Sequence, residues 1–244
     1  MILIAGDSWG SGVWNRGDLR TKEGQPLILH KGLEQFIVDN TDYNVKNLSR
    51  GGSSNLKIAN SLRIFLEHYP QENIEKIIVF QTEYTRDLDQ IFDEDFKKIE
   101  TPWSLSGTFI ARFYSRLSEI AKIASCPVYV VGGCSDTLWF TDEALYPGVK
   151  FICQSVTNLL INNNHRVNNP VLSLYNKDNS WIVEKIKKSV KPEFLDDFIK
   201  EIDKSFERTI AWSDHPEYFW PDGVHPNKNG HQKLFDFLVD QNIF

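Results

Sequence analysis

The chain has 244 residues, a net charge of −6, 41% hydrophobic and 25% charged residues, the make-up of one globular domain with a sizeable core. Its acidic balance and lack of a long basic run argue against a nucleic-acid partner, and no apolar run reaches the ~20 residues of a membrane span. Cys126, Cys134 and Cys153 are odd in number and lack metal-loop spacing. They are expected as isolated thiols of a reducing compartment, and Met1-Ile2-Leu3-Ile4 is too short for a secretory leader, so the expectation is a cytoplasmic protein.

The first predicted strand, Ile2–Ala5, runs straight into Gly6-Asp7-Ser8-Trp9-Gly10. Gly6 permits a tight turn, and Trp9-Gly10-Ser11-Gly12 can open a helix whose N-terminus favours negative charge. Strand two is expected at Asn44–Leu48, followed by the glycine-rich Ser49-Arg50-Gly51-Gly52-Ser53. An amphipathic helix follows, with Ile58, Ala59, Leu62, Phe65 and Leu66 on one face. Lys76–Gln81 and Pro127–Gly132 are nearly continuous apolar runs, as strands covered on both faces should be. Between them Phe109, Ile110, Phe113, Leu117, Ile120, Ala121 and Ala124 share a second helical face. This alternation is that of crossover units on a parallel sheet.

After Gly133 the rhythm breaks. Residues 134–190, with Asn162-Asn163-Asn164, read as loops and short elements. A helix is expected over 192–206 behind Pro192, and Arg208–Trp212 reads equally as a strand or as the end of that helix. Leu234, Phe235, Leu238 and Val239 form a closing helix. With no repeat and no Pro/Gly-rich linker, residues 1–244 read as one domain with an insertion at about 134–206.

The chemistry concentrates at the two ends. A serine beyond the carboxyl end of a strand sits where open α/β sheets hold ligands, although Asp7 and Ser8 would also serve as helix caps. Asp222-Gly223-Val224-His225 places a carboxylate three residues before an imidazole, close enough for Asp222 to hold the His225 tautomer. Asp-Gly is also an ordinary turn pair. Of the six histidines, His225 alone has an aspartate three residues before it; His215 and His231 lack that partner. A serine hydroxyl needs such a base to become a nucleophile. No spacing resembles a metal loop and no phosphate-cradling motif is present, so neither metal nor cofactor is expected. Trp212, Tyr218, Phe219 and Trp220 lie just before Asp222, as core or as walls of a ligand site.

Gly6-Asp7-Ser8, the glycines after strand two, and Asp222-x-x-His225-Pro226-Asn227 with Gly230-His231 resemble the SGNH (GDSL-type) hydrolases. The resemblance spans the chain from residue 1 to the closing helix, though 134–206 carries no motif of the family. It implies a three-layer α/β/α flavodoxin-like sandwich with a central parallel sheet, and hydrolysis of esters, thioesters or sugar O-acetyl groups. By that resemblance Ser8 is the nucleophile, His225 the base, Asp222 its orienting partner, and Gly52 an oxyanion donor.

The third motif of the family departs. Where it has Gly-x-Asn-Asp, this chain has Gln81-Thr82-Glu83-Tyr84, with Glu83 at the Asn position. A carboxylate ~4 Å from an oxyanion would repel it by roughly 4 kcal/mol at an effective dielectric of about 20. The expectation is that Glu83 turns away, paired with Arg50 or Arg86, while the Gln81 amide reaches the oxyanion. The alternatives are a protonated Glu83 or a site that no longer hydrolyses esters. Arg86 and Asp87 otherwise read as an exposed loop pair. The resulting expectation is a cofactor-free esterase acting on a small acyl ester or an acylated carbohydrate, with a carbohydrate-binding module or an acyltransferase as the alternatives.

Overall fold

A computed structural model of the chain describes residues 1–20, 26–84, 86–87, 102–133, 137, 143–161, 184, 187, 191–197, 199–200, 215–220 and 225–244. Its strands are β1 (Ile2–Ala5), β2 (Val13–Arg20), β3 (Pro26–Lys31), β4 (Val45–Asn47), β5 (Lys76–Gln81), β6 (Val128–Gly132) and β7 (Val149–Cys153). Its helices are α1 (Ser8–Ser11), α2 (Gly32–Asn40), α3 (Asn55–His68), α4 (Pro102–Ala124), α5 (Val156–Ile161) and α6 (Lys228–Asp240).

Five strands form one sheet in the order β4-β1-β5-β6-β7, and every pairing in it is parallel. Counted along the chain within the sheet, this is the order 2-1-3-4-5 of the flavodoxin-like doubly wound fold, whose switch point lies beside the first strand. β1 lies inside the sheet, between β4 and β5, and is wholly buried, so the turn that leaves it opens at that switch point.

Alternation divides the sheet into two apolar faces. Leu3, Ala5, Ile77, Val79, Val128 and Val130 pack with α3 and α4. Ile2, Ile4, Ile78, Phe80 and Val131 pack against Leu33, Phe36 and Ile37 of α2 and Leu234, Phe235 and Leu238 of α6. A parallel sheet must be covered on both sides in this way, because each crossover lays a helix over one face.

Several features go beyond the expected elements, helix α2 among them. The helix after Gly6 is a single turn, because Gly12 adopts a left-handed φ of 53° and ends it. Its Cα abuts Gly32, where a methyl on either residue would lie 2.7 Å from the other's backbone. Val13–Arg20 and Pro26–Lys31 form an antiparallel β2–β3 pair outside the main sheet. Within the segment expected to be irregular, Val149–Cys153 supplies the fifth strand and Val156–Ile161 a short helix. Pro192–Phe194 form a 3₁₀ turn and residues 195–197 and 199–200 are helical, as expected; residues 198 and 201–206 of the helix expected at 192–206 lie outside the described residues, as does Arg208–Trp212. No helix among the described residues is long and apolar enough to cross a membrane.

Candidate active site

Ser8 and His225 meet. The Ser8 Oγ lies 2.8 Å from His225 Nε2, across 217 residues of sequence. Both side chains are partly buried, and the imidazole is 6.5 Å from the Trp9 ring, centroid to centroid. The turn carrying Ser8 is set by Asp7, whose side chain caps α1 by accepting the Trp9 N–H at 2.9 Å. Capping and presentation of the serine are therefore one structure.

His225 is positioned from the C-terminal side. Its carbonyl accepts the Trp220 N–H at 2.9 Å, and Phe219 and Pro226 form an antiparallel bridge. Asn227 then caps α6, its Oδ1 accepting the Gly230 N–H at 3.1 Å. Its amide nitrogen binds the carbonyls of Pro216, Glu217 and Phe219. The aromatic stretch thus holds the histidine loop. Phe219 is buried in the α2/α6 core, whereas Tyr218 and Trp220 are half-buried. Asp222 and Trp212 lie outside the described residues.

Gly51 and Gly52 form the middle of a β-turn in which the Ser53 N–H reaches the Arg50 carbonyl at 3.1 Å. Gly52 has a φ of 74°, the left-handed value a type II turn requires at that place. The Arg50 N–H binds the Gly6 carbonyl at 3.1 Å, which ties this turn to the serine turn. A methyl built on Gly51 would lie 3.9 Å from Ser8 Cβ, while one on Gly52 meets nothing within 4 Å. The backbone N–H groups of Ser8, Gly51 and Gly52 have no acceptor among the described residues. Asn47 braces the loop: its Nδ2 donates to the Gly10 carbonyl and its Oδ1 accepts from the Ser49 N–H, both at 3.0 Å.

Thr82, Glu83 and Arg86 form a buried network with Asp7 under the serine turn. Glu83 is 4% exposed and its Oε2 lies 2.7 Å from Arg86 Nε. The same guanidinium reaches Asp7 Oδ2 at 3.6 Å. The Thr82 hydroxyl sits between the two carboxylates, 3.0 Å from Asp7 Oδ2 and in close contact with Glu83 Oε2. Burial above all raises the Asp7 pKa; Arg86 opposes this and Glu83 adds to it. Asn55 pins the segment by pairing both ways with the Thr82 backbone at 2.9 Å. Arg86 and Asp87 are not an exposed loop pair. Asp87 is fully buried and accepts the Leu56 N–H at the start of α3, and Arg86 is largely covered.

Gln81, at the end of β5, is also buried, and its Oε1 accepts the Tyr114 hydroxyl at 2.6 Å. Its neighbours on the same strand face, Ile77 and Val79, belong to the α3/α4 core. Asp7, Thr82, Asn47 and Asn55 were not singled out from the sequence as site residues. The contacts that join them across the site span 27 to 75 residues, so no local spacing marks them. The Asn227 cap did have a local signal, an Asn directly before an amphipathic run.

Behind His225 lies His231 on α6, 1% exposed, with no hydrogen-bond partner for either ring nitrogen among the described residues. Burial, with help from His30 and His225, pushes its pKa down to about 3. His215 stands away from this pair, 3.3 Å from Glu217 Oε1. No group of three or more His, Cys, Asp or Glu side chains among the described residues is placed to hold a metal ion.

The sequence matches no family model and no curated protein. Solved structures are similar to it along nearly the whole chain. The psychrotrophic esterase EstA from Pseudoalteromonas sp. is 12% identical, with 99% of this chain and 96% of that one covered and a TM-score of 0.44. A protein from Slackia heliotrinireducens assigned to the SGNH hydrolases is 14% identical, with 98% and 96% covered and a TM-score of 0.42. An acetyl xylan esterase from Geobacillus stearothermophilus is 12% identical, with 98% and 93% covered and a TM-score of 0.41.

Proposed function

We propose that this chain is a serine esterase that hydrolyses a small acyl ester, with O-acetyl groups on carbohydrate as the leading substrate. The observation that carries the reading is the 2.8 Å contact between Ser8 Oγ and His225 Nε2, at the carboxyl end of β1 beside the switch point, where this fold places ligands. Nε2 accepts the hydroxyl proton as Oγ adds to the ester carbonyl. The imidazolium then returns that proton to the departing alkoxide, leaving an acyl-serine and a free alcohol. Water repeats the sequence: His225 takes its proton, the hydroxide adds to the acyl carbon, and the serine leaves with the proton while the acid departs. Asp222 has the role of holding the Nδ1–H tautomer of His225.

The negative charge that develops on the carbonyl oxygen needs donors already aimed at it. The open N–H groups of Ser8, Gly51 and Gly52 suit that role without any side chain. Glu83 does not oppose it, because its carboxylate is engaged by Arg86 and Thr82. Gln81 takes the place of a support for β5, through Tyr114, and the backbone carries the oxyanion.

The test is covalent labelling with a fluorophosphonate, read by mass spectrometry of the peptide containing Ser8. Labelling lost in Ser8→Ala and slowed in His225→Ala is the expected result. An unlabelled wild-type serine overturns the esterase reading. Acetate release from an O-acetylated glycan panel, dependent on Ser8, then tests the substrate. Release confined to lipid-like acyl chains would remove the carbohydrate part of the reading.

A further inference from the structure

A concavity runs beside the serine turn. It encloses about 490 Å³ between the outer edge of the sheet and α3, and Lys46, Ser49, Arg50, Phe65, His68 and Tyr69 are among its walls. No Asp or Glu lines it, although the chain as a whole carries six more negative than positive charges. Lys46 and Arg50 are exposed, and neither side chain has an ion-pair or hydrogen-bond partner among the described residues. Phe65 and Tyr69 stand 4.9 Å apart, centroid to centroid, and Tyr69 is 49% exposed. The His68 Nδ1–H donates to the Ile64 carbonyl at 2.8 Å in the neutral ring, leaving Nε2 as an acceptor.

The place of this groove in the fold gives it meaning. Arg50 is one residue from Gly51, which abuts Ser8, and its own N–H is tied to Gly6 of the serine turn. β4 is an edge strand, and α3 returns antiparallel to it, so His68 and Tyr69 lie toward the far end from Arg50. The groove therefore begins at the rim of the catalytic turn and leads away down the side of the sheet. Unpaired cations, an aromatic platform and a hydroxyl acceptor, with no carboxylate among them, suit a sugar chain that bears anionic groups.

We infer that the groove between β4 and α3 binds an acidic oligosaccharide through Lys46 and Arg50. A sugar ring lies on Tyr69, and the acylated end of the chain reaches Ser8. Placement of the acyl group rests on the esterase reading; binding of the acidic chain does not. The shared chemistry is an anionic sugar substituent, with carboxylate and sulfate as its two sources.

The experiment is calorimetric titration of the full-length wild-type protein with three unacylated tetrasaccharides. One is a galacturonic acid tetramer, one a sulfated neutral tetramer, and one an unsubstituted neutral tetramer. At low salt the better acidic tetramer should bind about tenfold tighter than the neutral one, the effect of two exposed ion pairs together. That preference should shrink on adding salt, and Lys46→Glu and Arg50→Gln should each reduce it while melting as the wild type does. Which acidic tetramer binds better identifies the substituent. Equal binding of all three, no binding of either acidic one, or a preference untouched by both substitutions overturns the inference. No tetramer carries an ester, so a serine that fails to react with the fluorophosphonate leaves this result readable, and the two readings fail separately.

Discussion

Replacing Arg86 by Met removes the cation from beneath the serine turn while keeping much of the stem that packs there. In the wild type the guanidinium lies 2.7 Å from Glu83 and 3.6 Å from Asp7. At an effective dielectric of about 20 these separations correspond to about 6 and about 5 kcal/mol of attraction, before the desolvation that offsets most of it. Breaking a buried pair by removing one partner costs about 3–5 kcal/mol, and the 17% exposure of Arg86 puts this case near the lower end. A loss of about 3 kcal/mol in a chain of this size corresponds to a fall in Tm of roughly 6–12 °C. The loss should also depend on pH. Without Arg86, two carboxylates face a single Thr82 hydroxyl, and a proton taken up by buried Asp7 relieves the repulsion. A folded state that binds a proton the unfolded state has released is weakened as pH rises. The deficit against wild type is therefore smaller near pH 5 than at pH 8. Thermal unfolding followed by circular dichroism at both pH values measures it, and the double variant with Glu83→Gln should recover part of the loss. An unchanged Tm at pH 8, or a double variant no more stable than Arg86→Met, refutes the reasoning.

Ser8→Ala and His225→Ala should each remove nearly all turnover of a p-nitrophenyl acyl ester, and Asp222→Ala somewhat less; the double variants should lose no more than the worse single one. Gln81→Ala leaves the Tyr114 hydroxyl buried without its acceptor, so about 1–3 kcal/mol of stability should go with kcat nearly intact. A 10²-fold drop in kcat at unchanged Tm would instead make Gln81 an oxyanion donor. His231 gives the acid limit. Its folded pKa of about 3 lies below the unfolded value of about 6.5, so its contribution is complete above pH 6.5 and is lost as pH falls toward 3. At about 1.4 kcal/mol per pH unit the loss approaches 4–5 kcal/mol, and a His231→Phe variant that accepts the ring should show a flatter Tm profile between pH 6.5 and 4.

How much of this was legible depended on where the partners lie. β1 and β5 were legible to the residue because their apolar runs are unbroken and both faces are buried. β7 was not, since it is an edge strand with an exposed Lys150 as its second residue, and its five residues carry too little pattern to stand out. The α2 face of Leu33, Phe36 and Ile37 had helical spacing but was not picked out. At the site, Ser8, the glycine turn and His225 belong to compact local motifs, and the structure brings the serine and histidine together. The Glu83–Arg86 pair was one of two anticipated partners and is local as well. What stayed hidden is the link from that pair to Asp7, which exists only because β1 and β5 are neighbours in the sheet.

The serine is made in the first strand turn, and its base arrives on the loop before α6, 217 residues later. Every strand of the main sheet lies before that loop in the chain. A chain that stops short of His225 therefore carries every strand of that sheet and Ser8, but lacks the imidazole that the proposed esterase needs. It also lacks Asn227 and the helix that it caps, which packs on α2. On the proposed reading, reactivity at Ser8 would report that synthesis has passed the histidine and that the final helix has found its place.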